Sequence, residues 1–274
     1  MTSAVGVRDA GGRRLGGLVA ITFDFGNTLV HVDRAGLRRV VEATAEHVCA
    51  RIGVPDRAAF LDIWAEERER QFREEVPRLR EVDLRERVAR ALARLRGLAA
   101  PPPDERWDDA AAAARSTPEE VADAVDAYSR AFVAGLPPEP EAGALLRRLR
   151  ARGFRLAILS NWPLAATIDR YAEASGWLPF LDAIIVSQRV GAIKPHGAIF
   201  AAAAAALGQP AGSEILHVGD DWAADVVGAK RAGWRAAYLD VGPPDSPLPS
   251  SERTAGVVPD LELASLGELE AHLA

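Results

Sequence analysis

The 274-residue chain has a single cysteine, Cys49, which excludes an intrachain disulfide and a cysteine-built zinc site. That scarcity fits a reducing compartment, and a cytoplasmic location is the expectation. Basic excess is also lacking. The formal net charge of -6 gives no compositional support to nucleic-acid binding. No apolar run approaches the length of a membrane span, so no membrane partner is expected. Internal repeats are absent, and the alanine runs 111–114 and 201–206 are helix formers. Arg13-Arg14 precedes an apolar stretch as an export signal would, but Gly16 and Gly17 interrupt that stretch and Asp24 ends it. Residues 1–16 therefore read as a flexible leader. What is present is a 49% apolar, 26% charged chain able to bury a sizeable core.

Leu18 to Phe23 is a short apolar run ending at Asp24 and followed by Gly26, Asn27 and Thr28, the pattern of a buried strand entering a turn. The next hundred or so residues change to helical periodicity. Leu37, Val40, Val41, Thr44 and Val48 share one face, and Leu84, Val88, Ala91, Leu92 and Leu95 form another apolar stripe. Pro101 to Pro103 break the pattern. Thr117-Pro118-Glu-Glu then opens a helix through Phe132, with a capping hydroxyl, a first-turn proline and two acids at the positive end of the helix dipole. From residue 137 helices alternate with strands at 154–160, 183–187, 215–219 and 236–240. An edge strand at 257–258 and a closing helix at 265–273 follow. This alternation predicts an α/β fold with a central parallel sheet covered on both faces. The domain reading is a core formed by 17–32 and 136–274, interrupted by a helical domain at 33–135. The segment 242–251, rich in proline and serine, reads as a surface connection.

Four groups of polar residues fall at the carboxyl ends of these strands: Asp24 with Thr28, Ser160-Asn161, Lys194, and Asp220-Asp221 with Asp225. Parallel strands ending in one plane bring such groups to a common crevice. Clustered carboxylates repel unless a cation joins them, and Mg²⁺ held by a few carboxylates suits such a site. Ser160 and Asn161 can donate to phosphoryl oxygens, Lys194 can neutralise them, and Asp24 can attack phosphorus. Each residue also has a plainer reading. Asp24, Thr28 and Asp221 can cap helices, Ser160-Asn161 can be a turn, and Lys194 can be a solvated lysine. His31 reads as a surface histidine rather than a replacement acid. Trp162 and Trp222 either floor a pocket or pack core against insertion, and Arg68, Arg70, Arg73 and Arg78 read as a solvated helix face.

The order Asp24-Phe-Gly-Asn-Thr28, Ser160-Asn161, Lys194-Pro195 and Gly219-Asp-Asp-Trp-Ala-Ala-Asp225 resembles the haloacid dehalogenase superfamily over about residues 18–273. The resemblance implies a Rossmann-like core, an inserted helical cap and an Asp24 nucleophile. It implies catalytic roles for Thr28, Lys194 and Asp225, and phosphate binding by Ser160, Asn161 and Lys194. It also implies Mg²⁺ held by Asp24, the Gly26 carbonyl, Asp220 and Asp221. One position departs: phosphatases of the superfamily carry a second aspartate, the general acid, where this chain has Gly26. Loss of such acid–base help typically costs about a hundred- to ten-thousand-fold. The expectation is a Mg²⁺-dependent phosphohydrolase acting on a small phosphorylated metabolite, impaired or specialised at Gly26. A metal-independent 2-haloacid dehalogenase and a non-catalytic binding or regulatory protein are the alternatives. Monomer and homodimer both stay open.

Overall fold

A computed structural model describes residues 14–53, 56–208, 212–240 and 245–274. The first strand, β1 (Ala20–Phe23), is buried at every position. After it the chain leaves the sheet for α1 (Arg34–Ile52), α2 (Arg57–Glu75), α3 (Leu84–Leu95), the short α4 (Asp109–Ala113) and α5 (Pro118–Gly135). Local chemistry sets these ends. Asp33 and Asp56 accept backbone N–H bonds at the starts of α1 and α2, and Gly53 closes α1 with a left-handed φ of 71°. Thr117 and Glu120 form a reciprocal capping box on α5.

The chain then returns through α6 (Ala142–Ala151), β2 (Arg155–Ser160), α7 (Ala165–Ala174), β3 (Ala183–Val186), α8 (Ser187–Val190) and α9 (Gly197–Ala206). It ends with β4 (Ile215–Gly219), a π-helical segment Trp222–Val227 running into α10 (Gly228–Arg231), β5 (Arg235–Leu239), β6 (Leu261–Leu263) and a 3-10 turn at Leu266–His272. The strands form one parallel sheet in the order β3-β2-β1-β4-β5-β6. Alternate residues of each strand feed two core layers. Ile21, Phe23, Ile158 and Val218 belong to one layer, and Ala20, Ala157, Leu159 and Ile215 to the other. The α/β reading with a central parallel sheet is what the structure contains.

Several details differ from expectation. The edge strand lies at Leu261–Leu263 rather than 257–258, because Leu261 and Leu263 can both turn inward around an exposed Glu262. Residues 1–13 of the expected leader lie outside the described residues. Leu15 is buried and bridged to Leu273, its N–H donating to the His272 carbonyl at 2.7 Å. Among the described residues no helix is long and apolar enough to cross a membrane.

Candidate active site

In this strand order the connections leave β1 and β4 in opposite directions, so a crevice opens beyond their carboxyl ends. Asp24 and Asp220 stand there, one residue beyond β1 and one beyond β4, and the Asp24 N–H donates to the Val218 carbonyl at 2.8 Å. Carboxylate oxygens of Asp24, Asp220 and Asp225 lie within 4.8 Å of one another.

Lys194 enters this cluster from the loop after β3. Its ammonium is buried and its three donors are used: Asp24 Oδ1 at 2.8 Å, Asp225 Oδ1 at 2.6 Å and the Leu159 carbonyl at 2.9 Å. Burial opposes its charge, but Asp225 and Asp24 outweigh burial and raise its pKa above the ordinary value. Asp225 is satisfied within the protein. Oδ1 accepts from Lys194 and from His217 Nε2 at 3.0 Å, and Oδ2 accepts from the Asp221 N–H at 2.9 Å. Burial would raise its pKa, but Lys194 and His217 hold it well below the carboxylate range. Gly219 is required here, since a Cβ would collide with the Asp225 carboxylate.

His217 was not anticipated from the sequence. It lies buried within β4, with Nδ1 2.8 Å from the Thr22 hydroxyl and Nε2 on Asp225. Burial and Lys194 lower its pKa, so the ring is read as neutral, with Nε2–H donating to Asp225 and Nδ1 accepting from Thr22. A polar residue inside the run Ile215-Leu-His-Val was the available signal.

The three-carboxylate cluster therefore holds one ammonium, which contacts only Asp24 and Asp225. Asp220, with no direct cationic partner, has its pKa raised well above the usual value by burial and by Asp24 and Asp225. Asp24 is raised too, chiefly by burial, with Lys194 opposing. Such a donor set fits a hard divalent cation, which would relieve the excess negative charge. Thr28 donates to Asp220 Oδ1 at 3.3 Å, and Asn27, held at a left-handed φ of 57°, approaches Oδ2 at 3.4 Å.

Two expected site residues line the chamber with their side chains hydrogen-bonded within the protein. Asp221 stands outside the cluster: its Oδ1 accepts from the Ala224 N–H at 2.6 Å and from Ser251 Oγ at 2.9 Å, which caps the π-helical segment. The side-chain amide of Asn161 is spent on the backbone of Lys194, accepting from its N–H at 2.7 Å and donating to its carbonyl at 3.1 Å. Asn161 thus positions the lysine loop, and Ser160 and Asn161 both line the open space.

Above these residues lies a chamber of about 730 Å³ between the sheet ends and the inserted helices. Of the segment 242–251, read from sequence as a surface connection, residues 242–244 lie outside the described residues and Pro247 to Ser251 form part of the chamber wall. Ser246 Oγ accepts from Asn27 at 2.8 Å, Ser251 bonds Asp221, and the Pro247 carbonyl accepts from Arg68 at 3.0 Å. Leu248 fills the place a side chain at position 26 would take: a Cβ on Gly26 would meet Leu248 Cδ1 at 2.5 Å and Trp162 at 3.4 Å. Trp162 lines the chamber, whereas Trp222 packs into the sheet's other face against Tyr238. His31 is half exposed beside Asp33 and Glu139, away from the chamber. Arg68 and Arg70 are not a solvated face; Arg70 is buried and donates to the carbonyls of Pro101, Pro102 and Glu105.

A sequence profile described as haloacid dehalogenase-like hydrolase matches residues 18–233. Pyrimidine 5'-nucleotidase YjjG of Escherichia coli is 29% identical over 148 residues, 54% of this chain and 62% of the relative. The ribulose-1,5-bisphosphate 5-phosphatase of Halopiger xanaduensis is 32% identical over 146 residues, 53% of this chain and 60% of the relative. The matched stretch thus spans about three-fifths of the length of these curated relatives. Among solved structures, 2-haloacid dehalogenase from Pseudomonas syringae superposes with a TM-score of 0.61 at 21% identity, covering 93% of this chain and 97% of that one. At that identity the likeness concerns the fold alone.

Proposed function

Since this chain belongs to the haloacid dehalogenase-like hydrolase family, we propose that it is a Mg²⁺-dependent phosphohydrolase acting on a small phosphorylated molecule, with Asp24 as nucleophile. The observation that carries this reading is the cluster of Asp24, Asp220 and Asp225 lining a chamber, with a single ammonium bridging Asp24 and Asp225. Lys194 holds Asp24 Oδ1, which leaves Oδ2 to attack phosphorus in line with the departing oxygen. The P–O bond to the alcohol breaks as the Asp24–phosphorus bond forms, and water then hydrolyses the aspartyl-phosphate to phosphate and the free carboxylate. Mg²⁺, when bound by Asp24, the Gly26 carbonyl and Asp220, would neutralise charge on the phosphoryl oxygens. Lys194 holds and neutralises the nucleophile, Ser160 offers a hydroxyl to the phosphoryl group, and Asp225 with His217 keeps Lys194 charged and in place. The inserted helices serve as a cap that limits water in the chamber. Gly26 supplies no proton to the leaving alcohol, so esters with acidic leaving groups are the favoured substrates.

Asp24→Asn tests the reading. Hydrolysis of 4-nitrophenyl phosphate with Mg²⁺ should fall by at least about a thousandfold, scaled to the loss of a covalent nucleophile. Turnover that survives the substitution would sink it.

One observation favours a second reading. Leu248 fills the position of the missing acid, and displacing halide from carbon requires no protonation of the leaving group. Chloride release from 2-chloropropionate in EDTA, dependent on Asp24, would select dehalogenation over phosphoryl transfer.

A further inference from the structure

The inserted helices carry many arginines, and two of those on α3 have carboxylate partners. Arg90 bonds Glu74 and Asp109, and Arg94 bonds Glu66 and Glu67. Arg87 is different. It is 4% exposed and lines the chamber, yet its guanidinium meets only the neutral amide of Gln71, with Nε donating to Oε1 at 2.9 Å. No carboxylate lies within ion-pair distance of it among the described residues, and its Nη2 is enclosed without an acceptor. The face of Trp64 lies 5.5 Å from the guanidinium carbon, which orients the cation without neutralising it. Glu81 influences it from beyond ion-pair distance, and a buried cation with no direct ion-pair partner is costly, so such sites are ordinarily completed by an anion.

The neighbouring groups suit an incoming oxyanion. Tyr128 on α5 is buried and lines the same wall, and its hydroxyl has no protein partner among the described residues. Arg68 on α2 completes the wall, its Nη2 anchored on the Pro247 carbonyl and its guanidinium stacked 4.7 Å from the Phe72 centroid. The acids that also line the chamber are otherwise placed. Glu81 is held by Ser187 Oγ at 2.5 Å and by the Val82 N–H, while Glu42 is paired with Arg38 and Asp62 is exposed. The same chamber is also lined by Leu37, Leu61, Leu79, Ile193 and Leu248.

We propose that Arg87 and Tyr128, flanked by Arg68, form a second oxyanion subsite, so that the substrate is doubly anionic. Its phosphate lies against Asp24 and Lys194, and a carboxylate or second phosphate lies at Arg87, with a mainly apolar body between them. Arg87 and Tyr128 then decide specificity, and the inserted helices select substrates by distal charge. This inference rests on the phosphohydrolase reading for the substrate's other end but concerns binding, so a test without turnover separates the two.

The probes are phenylphosphonate, 4-phosphonobenzoate and benzene-1,4-diphosphonate, whose C–P bonds are not hydrolysed, titrated calorimetrically into the full chain with Mg²⁺ present. One or both of the distally charged probes should bind about tenfold or more tightly than phenylphosphonate, as a charge-assisted hydrogen-bonded pair predicts. The carboxylate and phosphonate arms show which oxyanion the subsite prefers. R87M should reduce that advantage to about twofold or less. R87K, which keeps the charge but not the planar fork, and Y128F, which removes only the hydroxyl, should each retain part of it. Equal binding of the three probes by the unmodified protein would overturn the proposal, as would an advantage that persists in both R87M and Y128F. If the charged probes show the advantage and no phosphoester is turned over, the subsite stands and the catalytic reading fails.

Discussion

Lys194 is one of only two lysines in a chain otherwise furnished with arginine. The physical reason lies in its three contacts. A compact ammonium fits between two carboxylates and a carbonyl, whereas a planar fork would need a wider space. Removing it leaves Asp24 and Asp225 buried without a counter-ion, and the loss of one partner of a buried pair costs about 3–5 kcal/mol. Lys194→Met should therefore lower unfolding stability by that order in metal-free buffer, read from the urea midpoint, and abolish phosphatase activity. Gly26 makes the opposite case, a site defined by a missing side chain. An aspartate introduced there must displace Leu248 Cδ1. Gly26→Asp alone should cost about 1–3 kcal/mol through overpacking. Combined with Leu248→Ala it should regain stability and raise kcat on alkyl phosphates by about a hundredfold, the range of a restored general acid. A double variant no faster than the unmodified protein on alkyl phosphates would show that the position alone does not limit the rate.

Among the elements, the segment between α2 and α3 joins the inserted helices to the core. Ile193 donates to the Leu79 carbonyl at 3.0 Å, Leu84 donates to the Pro163 carbonyl at 3.1 Å, and Ser187 donates to Glu81. Burial raises the Glu81 pKa from 4.5 to about 7, against the lowering effects of Ser187, the Val82 N–H and Arg87, with Asp83 adding a further upward push. Because the folded value is the higher one, its neutral form contributes stability in full below about pH 4.5. That contribution, on the order of 3 kcal/mol, is lost as pH rises through about 7. Glu81→Gln should flatten the decline in melting temperature between about pH 5 and pH 8. An unchanged slope would place the titration elsewhere. Periodicity was a good guide to such elements where packing agrees with it. The apolar stripe from Leu84 to Leu95 coincides with α3, and Thr117-Pro118-Glu-Glu opens α5 with the expected cap. It was a poor guide to residues 247–251, part of the proline- and serine-rich segment 242–251 that reads as a surface connection. Their value as a chamber wall comes from partners about 180 to 220 positions away, at Arg68 and, through the adjoining Ser246, at Asn27.

At the scale of the molecule, the sheet delivers charge and the inserted helices enclose it, with the chamber between. A cation that joins Asp24 and Asp220 in the folded state, and finds no such pair in the unfolded chain, must stabilise the fold. Free Mg²⁺ at about a hundredfold its Kd should add about 2.7 kcal/mol. The melting temperature should rise by several degrees, and Asp220→Asn should remove most of that rise; equal melting curves with Mg²⁺ and EDTA would argue against a metal in this crevice. The sequence by itself determined the parallel α/β core, the helical insertion and the presence of carboxylates, hydroxyl and ammonium at successive strand ends. These follow from local periodicity and from the geometry common to parallel strands. Only the tertiary structure decided which of those groups meet. It set Asp221 to capping and Asn161 to holding Lys194, drew in His217, placed Leu248 over Gly26 and left Arg87 Nη2 without an acceptor. Each of these outcomes depends on side chains converging from distant parts of the chain in a space of low polarity, where a polar group finds its partner or goes without.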